Sequence, residues 1–169
     1  HWGGNQLPGY PAFIAATWFI FGKSVTPVLL VQTAVYVLTV TILCRALSRY
    51  DYSQFKSRLF LVIVAFLLGA SPSLVGWSRV IFTETLSVAL GIWLLALLVS
   101  SLAEQRLRVL GIGLVTAAGL FVRYDFAFMA IPIAIVGFYL HPPWVAMKRL
   151  LIVICIVILP LGGWTARCV

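Results

Sequence analysis

Long apolar stretches separated by short polar segments run through most of the chain. A transmembrane helix needs about 20 consecutive apolar residues, within a range of about 17–25, to cross about 30 Å of hydrocarbon. Three stretches reach that length and a fourth is near the lower limit: Ser24–Cys44, Leu59–Ser78, Thr85–Ala103 and Leu150–Ala166. The pattern predicts an all-α fold, a polytopic transmembrane helical bundle.

Three shorter apolar stretches complete the pattern. Val109–Val122 and Phe126–Leu140 are two short spans, or a pair that meets partway through the membrane against protein. Tyr10–Gly22 is aromatic-rich and bounded by Pro and Gly, which is typical of an interfacial helix. We therefore expect about six membrane-crossing segments in one membrane domain, with an outer loop and the interfacial helix in residues 1–23 and transmembrane helices in residues 24–166.

Composition supports the membrane assignment. The chain is 63% hydrophobic and only 9% charged, which is too few charges to cover the surface of a soluble domain. A net charge of +8 could suggest nucleic acid. The basic residues, however, lie between the apolar stretches and form no single basic face, so we expect membrane lipids as partners and no nucleic acid. We expect an integral protein of the inner or plasma membrane.

The distribution of Lys and Arg predicts the orientation, because cytoplasmic loops carry the excess of positive charge. If Ser24–Cys44 runs from outside to inside, the inner loops hold eight basic residues and the outer side holds four. The inner set is Arg45, Arg49, Lys56, Arg58, Arg106, Arg108, Lys148 and Arg149, and the outer set is Lys23, Arg79, Arg123 and Arg167. This orientation leaves both ends of the chain on the outer face.

Glu84 opens the third long stretch and is one of only four acidic residues. As a structural residue it would interact with the helix dipole, with Thr83 as a possible cap. An acid near the hydrocarbon boundary is costly without a partner and commonly functional. Arg79 lies five residues earlier and is close enough to pair with Glu84. As an outer cation it could instead snorkel to water or bind a lipid-linked phosphate.

Arg123 and Asp125 interrupt the pair of short apolar stretches. They either mark a charged turn or lie below the outer surface, where buried charges pair or line a wet cavity. We take Arg79, Arg123 and Asp125 as candidate substrate-binding residues. Glu84 is a candidate catalytic residue that orients an acceptor or a divalent cation.

Four stretches, in order, resemble segments of GT-C class membrane glycosyltransferases, among them the dolichyl-phosphate-mannose protein mannosyltransferase-like and aminoarabinose-transferase-like families. The stretches are "QLPGYPAFIA", "SPSLVGWSRVIFTETLSVAL", "GIGLVTAAGLFVRYDFAFMAIP" and "LPLGGWTARCV". The second contains Glu84 at a position where these families often carry an acid. In the last, Cys168 stands where the families usually have Asn.

The resemblance implies an inverting transfer of a sugar from a polyprenyl-phosphate donor to an acceptor at the outer face. The families' principal catalytic carboxylate lies in a first outer loop, upstream of "GYP". The sequence starts at His1 and not at Met, so we expect it to be part of a longer protein and to be inactive alone. A transporter or lipid flippase remains an alternative, as does a membrane subunit without enzymatic activity.

Overall fold

The computed structural model describes residues 7–49 and 83–168, with the side chains of Arg167 and Cys168 left out. In these residues the chain is helical and contains no strand, which confirms the predicted all-α class. The described helices are α1 (Gly9–Phe21), α2 (Val25–Leu47), α3 (Thr83–Ala103), α4 (Val109–Val122), a 3₁₀ helix (Tyr124–Met129), α5 (Ala130–Leu140) and α6 (Pro143–Cys168). The predicted span Leu59–Ser78 lies outside the described residues, as does Arg79.

Three of these helices are long and apolar enough to cross a membrane: α2, α3 and residues Pro143–Ala166 of α6. The chain is therefore an integral membrane protein. The shorter helices are also apolar: α1, α4 and the continuous segment Tyr124–Leu140. The helix predicted at Tyr10–Gly22 is confirmed as α1, whereas its place at the membrane interface stays a prediction.

The last helix is longer than the sequence pattern suggested. The apolar stretch was expected to begin at Leu150, but α6 begins at Pro143. Proline suits the first turn of a helix because the missing N–H has no intrahelical partner there. Lys148 lies within the helix, as suits a good helix former, and its ammonium group lies 4.6 Å from the centre of the Trp144 ring, one turn earlier.

α2 and α3 run in the same direction. Arg49, just beyond α2, forms an ion pair of 3.2 Å with Glu104, just beyond α3. Between them, Leu43 and Ala46 of α2 pack with Ile92 and Ala96 of α3. A parallel pair agrees with the predicted order of crossings, in which both helices run from the outer to the inner side.

α4 runs against α3, and ion pairs join the two helices at both ends. Arg108, which precedes α4, binds Glu104 at the end of α3. Arg123, which follows α4, binds Glu84 in the first turn of α3. Glu84 and Glu104 are 20 residues apart, or about 30 Å along a helix. The charged groups of this helix pair thus lie at two levels, separated by about one hydrocarbon thickness.

The core lies around α3 and α4, which pack against α1, the 3₁₀ helix, α5 and α6. Its largest fully buried side chains include Leu94, Ile112 and Ile133. Small residues let the segments approach closely. A Cβ atom added to Gly9 would lie 2.6 Å from the carbonyl oxygen of Phe121, so the start of α1 rests directly on the end of α4.

Candidate functional site

Three charged residues at the outer end, in the predicted orientation, form a cluster: Glu84, Arg123 and Asp125. Glu84 comes from the first turn of α3, Arg123 from the extended residue after α4, and Asp125 from the first turn of the 3₁₀ helix. The Arg123 backbone N–H donates to the carbonyl oxygen of Gly119 at 2.8 Å. This bond ends α4 and fixes the direction in which the Arg123 side chain leaves the helix.

The guanidinium group of Arg123 binds both carboxylates at once. Its Nη1 donates to Glu84 Oε1 at 2.9 Å, and its Nη2 and Nε donate to Asp125 Oδ2 at 2.7 and 3.2 Å. These contacts raise the pKa of Arg123 above its ordinary value, mainly through the hydrogen bond with Asp125. Arg123 is therefore a permanent cation held in a fixed orientation.

These three contacts use three of the five N–H donors that a guanidinium group carries. Within the part of the chain that the structure describes, Nη1 and Nη2 therefore each retain one N–H for a further acceptor. The Arg123 side chain is 35% exposed and Glu84 is 28% exposed, so both are partly protected from water. Asp125 is 67% exposed and faces solvent more than its partners do.

The sequence predicted that these residues lie on one side of the membrane, but it did not predict the contact between Glu84 and Arg123. Glu84 was expected near Arg79, and Arg123 was treated as part of a separate charged turn. The observed partner of Glu84 is Arg123, 39 positions along the chain, while the Arg123–Asp125 pairing agrees with a turn. Arg79 lies outside the described residues. Thr83 was considered as a cap, and its hydroxyl lies 3.5 Å from Glu84 Oε2.

A cleft of about 430 Å³ extends from the cluster between α3 and the 3₁₀ helix. Glu84, Arg123 and Asp125 line its charged end. Its wall on α3 continues through Val88, Ile92 and Leu95, which share the helix face of Glu84 and extend about 16 Å from it. The cleft therefore has one ionic end and a long apolar wall.

The opposite wall of the cleft includes Phe126 and Met129 of the 3₁₀ helix. Phe126 is 3% exposed, and its ring occupies the space that a side chain at Gly119 would need. Neither residue was predicted from the sequence. The available signal was Gly119, four residues before Arg123 in a segment that was already marked by its charges.

A buried polar contact within the bundle was also missed. Tyr10 of α1 donates from its hydroxyl to Gln32 Oε1 of α2 at 3.1 Å, and Gln32 is almost completely buried. Tyr10 belongs to the same apolar cluster as Val122 and Phe126, beside the cleft. A glutamine inside the apolar stretch of α2 was the signal for it, because buried amides need partners.

In the described ranges, no group of three or more His, Cys, Asp and Glu residues could hold a metal ion. Glu84 and Asp125 are both bound by Arg123, which competes with a cation for their oxygens. The divalent cation considered from the sequence stays a prediction.

Comparison with known protein families gives a match. Residues 5–164 match the family model for dolichyl-phosphate-mannose-protein mannosyltransferases, which covers nearly the whole chain. The chain belongs to this mannosyltransferase family. The resemblance drawn from the four sequence stretches is thereby confirmed, and the protein is a membrane glycosyltransferase of GT-C type in general terms. Neither a curated protein nor a solved structure matches it.

Membership of the mannosyltransferase family favours a transferase over the two alternatives. The charged residues that line the cleft lie at its end and do not follow a path through the bundle, as they would in a transporter. The family match does not assign roles to individual residues.

Proposed function

We propose that the protein is the membrane part of a glycosyltransferase that moves a sugar from a polyprenyl-phosphate carrier to an acceptor at the outer membrane face. The observation that carries the proposal is the cleft with Glu84, Arg123 and Asp125 at one end and an apolar wall along α3. A polyprenyl phosphate has the matching shape, an anionic head on a long apolar chain. The membrane is the inner or plasma membrane.

In this proposal Arg123 binds the phosphate. A guanidinium group suits phosphate because its planar N–H donors form paired hydrogen bonds with the oxygens. Glu84 and Asp125 keep Arg123 in place, while the remaining Nη1 and Nη2 donors bind the ligand. The cluster as described carries two negative charges and one positive charge, so a phosphate needs a further cation. Arg79, five residues before Glu84, is the cation that we propose for this role.

The reaction follows from these assignments. The acceptor oxygen forms a bond to the anomeric carbon as the bond from that carbon to the phosphate oxygen breaks, which inverts the configuration. The electron pair of the broken bond leaves with the polyprenyl phosphate, whose charge Arg123 and Arg79 stabilise. The acceptor proton passes to a general base, which the family resemblance implies in a first outer loop. Glu84 orients the acceptor or a divalent cation.

The test uses full-length protein with the upstream loop, in membrane vesicles supplied with a panel of polyprenyl-phosphate sugars. Release of polyprenyl phosphate is measured for Arg123→Ala, Arg123→Lys and the same pair of variants at Arg79. We expect the Ala variants to use the donor less well than the Lys variants. Lys retains the positive charge but lacks the paired N–H donors of the guanidinium group. Lys23→Ala, also on the predicted outer side, is the control. Unchanged donor kinetics in both Ala variants at normal membrane levels would contradict the proposal.

A further inference from the structure

A second cleft lies at the opposite end of the bundle, about 30 Å along α3 from Glu84. Its volume is about 610 Å³, and its charged lining residues are Glu104, Arg106, Arg108 and Arg149. Three guanidinium groups thus face one carboxylate. Arg49 also binds Glu104 from the end of α2, so that carboxylate is already neutralised before any ligand binds. This basic cleft favours an anion.

The basic cleft is held in shape by contacts with neighbouring segments. Arg108 donates from Nε to Glu104 Oε2 at 3.2 Å and from Nη2 to Oε1, which joins the two ends of the loop between α3 and α4. Arg149 lies in the second turn of α6, and its Nη1 is 2.6 Å from His141 Nε2. Because arginine can only donate, Nε2 must accept, so His141 is neutral with its proton on Nδ1.

The position of Arg149 indicates that the basic cleft opens at the membrane boundary. On the same stretch of α6, Lys148 lies over the ring of Trp144, which is 71% exposed. Exposed Trp beside Lys is typical of the headgroup region. The remaining walls of the cleft are apolar and continue towards the hydrocarbon, since Leu110 of α4 and Ile152 of α6 are both more than half exposed.

We propose that the basic cleft binds the phosphodiester headgroup of an anionic phospholipid, with the acyl chains along Leu110 and Ile152. Arg106 and Arg149 supply the main hydrogen bonds to the phosphate, because Arg108 already gives two donors to Glu104 and Arg149 gives one to His141. Basic pockets between transmembrane helices bind anionic headgroups in this way. The proposal is independent of the transferase activity, since it concerns the other end of the bundle.

The experiment measures phospholipid retention by native mass spectrometry of the purified protein in detergent, with phosphatidylglycerol or phosphatidylcholine added at equal concentrations. We expect the wild type to retain phosphatidylglycerol preferentially. Arg149→Gln and Arg106→Gln should each lower the apparent affinity about tenfold, as expected for one lost hydrogen bond to a charged group. Arg106 is exposed, so its replacement leaves the packing intact even if Arg149→Gln disturbs α6.

Lys148→Gln is the matched control, because it removes one positive charge beside Arg149 without altering a residue that lines the basic cleft. We expect it to retain phosphatidylglycerol as the wild type does. Equal loss in Lys148→Gln and Arg149→Gln would contradict a specific site, as would normal retention in both arginine variants. A further arm adds inorganic phosphate without lipid. The melting temperature is measured with inorganic phosphate alone and with phosphatidylglycerol alone. An equal rise with both would identify a free-phosphate site and overturn the lipid proposal.

Discussion

Arg123 Nη1 lies 2.9 Å from Glu84 Oε1, so the residue that follows α4 neutralises the acid in the first turn of α3. This ion pair joins two helices whose other ends are joined by Arg108 and Glu104. It also sets the charged end of the cleft, because Asp125 binds the same guanidinium group. One arginine thus links three segments at the place where the family resemblance puts an acidic residue.

The coupling between Glu84 and Arg123 can be measured with a double-mutant cycle on Glu84→Gln and Arg123→Gln. The pair is about one-third exposed, so we expect a coupling free energy near the upper end of the range for exposed pairs, about 1 kcal/mol. Thermal or denaturant unfolding in detergent gives the four stabilities. Purely additive effects of the two substitutions would show that the contact contributes nothing to stability.

Gly119→Ala should destabilise the protein by about 1–3 kcal/mol, because the added methyl group overlaps the buried ring of Phe126. The shift of Phe126 would also alter a wall of the cleft. Gly162→Ala in α6 is the control, since a Cβ there meets nothing within 4 Å. The melting temperatures of the two variants in detergent test this difference, and equal melting temperatures would contradict it.

We expect the folded protein to lose stability at mildly acidic pH because of His141. Burial lowers the pKa of His141, and the charge of Arg149 lowers it further. The unfolded chain therefore binds a proton more readily than the folded protein. The contribution of neutral His141 to the free energy of unfolding is complete above about pH 6.5, the ordinary pKa of histidine. This contribution falls as the pH drops towards the lower pKa that His141 has in the folded protein.

The measurement is the melting temperature of wild type and His141→Gln between pH 7.5 and 5.5. Glutamine does not titrate, and its carbonyl oxygen still accepts a hydrogen bond from Arg149. The variant should show a smaller dependence on pH than the wild type. Glu104 does not interfere, because the hydrogen bond from Arg108 lowers its pKa and it stays ionised in this range. The same pH dependence in both proteins would assign the effect to another group.

The predicted orientation can be tested with single cysteines at Tyr124 and Gln105, both exposed, after Cys44, Cys155 and Cys168 are changed to Ser. An impermeant thiol reagent added outside should modify a cysteine at 124 and leave one at 105 unmodified. Labelling at 105 in sealed cells, without labelling at 124, would reverse the assignment of the outer and inner faces.

Within the described residues, the sequence was sufficient to predict most of the helices, because bilayer thickness imposes a length on apolar stretches. It failed at the start of α6, where Lys148 looked like part of a loop but lies over Trp144 within the helix. The Glu84–Arg123 pair could not be predicted from the sequence, for another reason. Topology placed both residues on one side, but a partner 39 residues away depends on how α3 and α4 pack, and hydrophobic periodicity does not specify that packing.

We propose that the cluster of Glu84, Arg123 and Asp125 belongs to a glycosyl-transfer site. The most direct test is sugar transfer by full-length protein carrying Glu84→Gln, with membrane insertion measured in parallel. The neutral isostere retains a hydrogen-bond acceptor for Arg123, so we expect normal insertion and about a hundredfold loss of transfer, or roughly 2.7 kcal/mol of transition-state stabilisation. A helix-dipole interaction alone supplies about 0.3–1 kcal/mol. Wild-type transfer by Glu84→Gln would contradict the account and leave Glu84 as a structural residue at the start of α3.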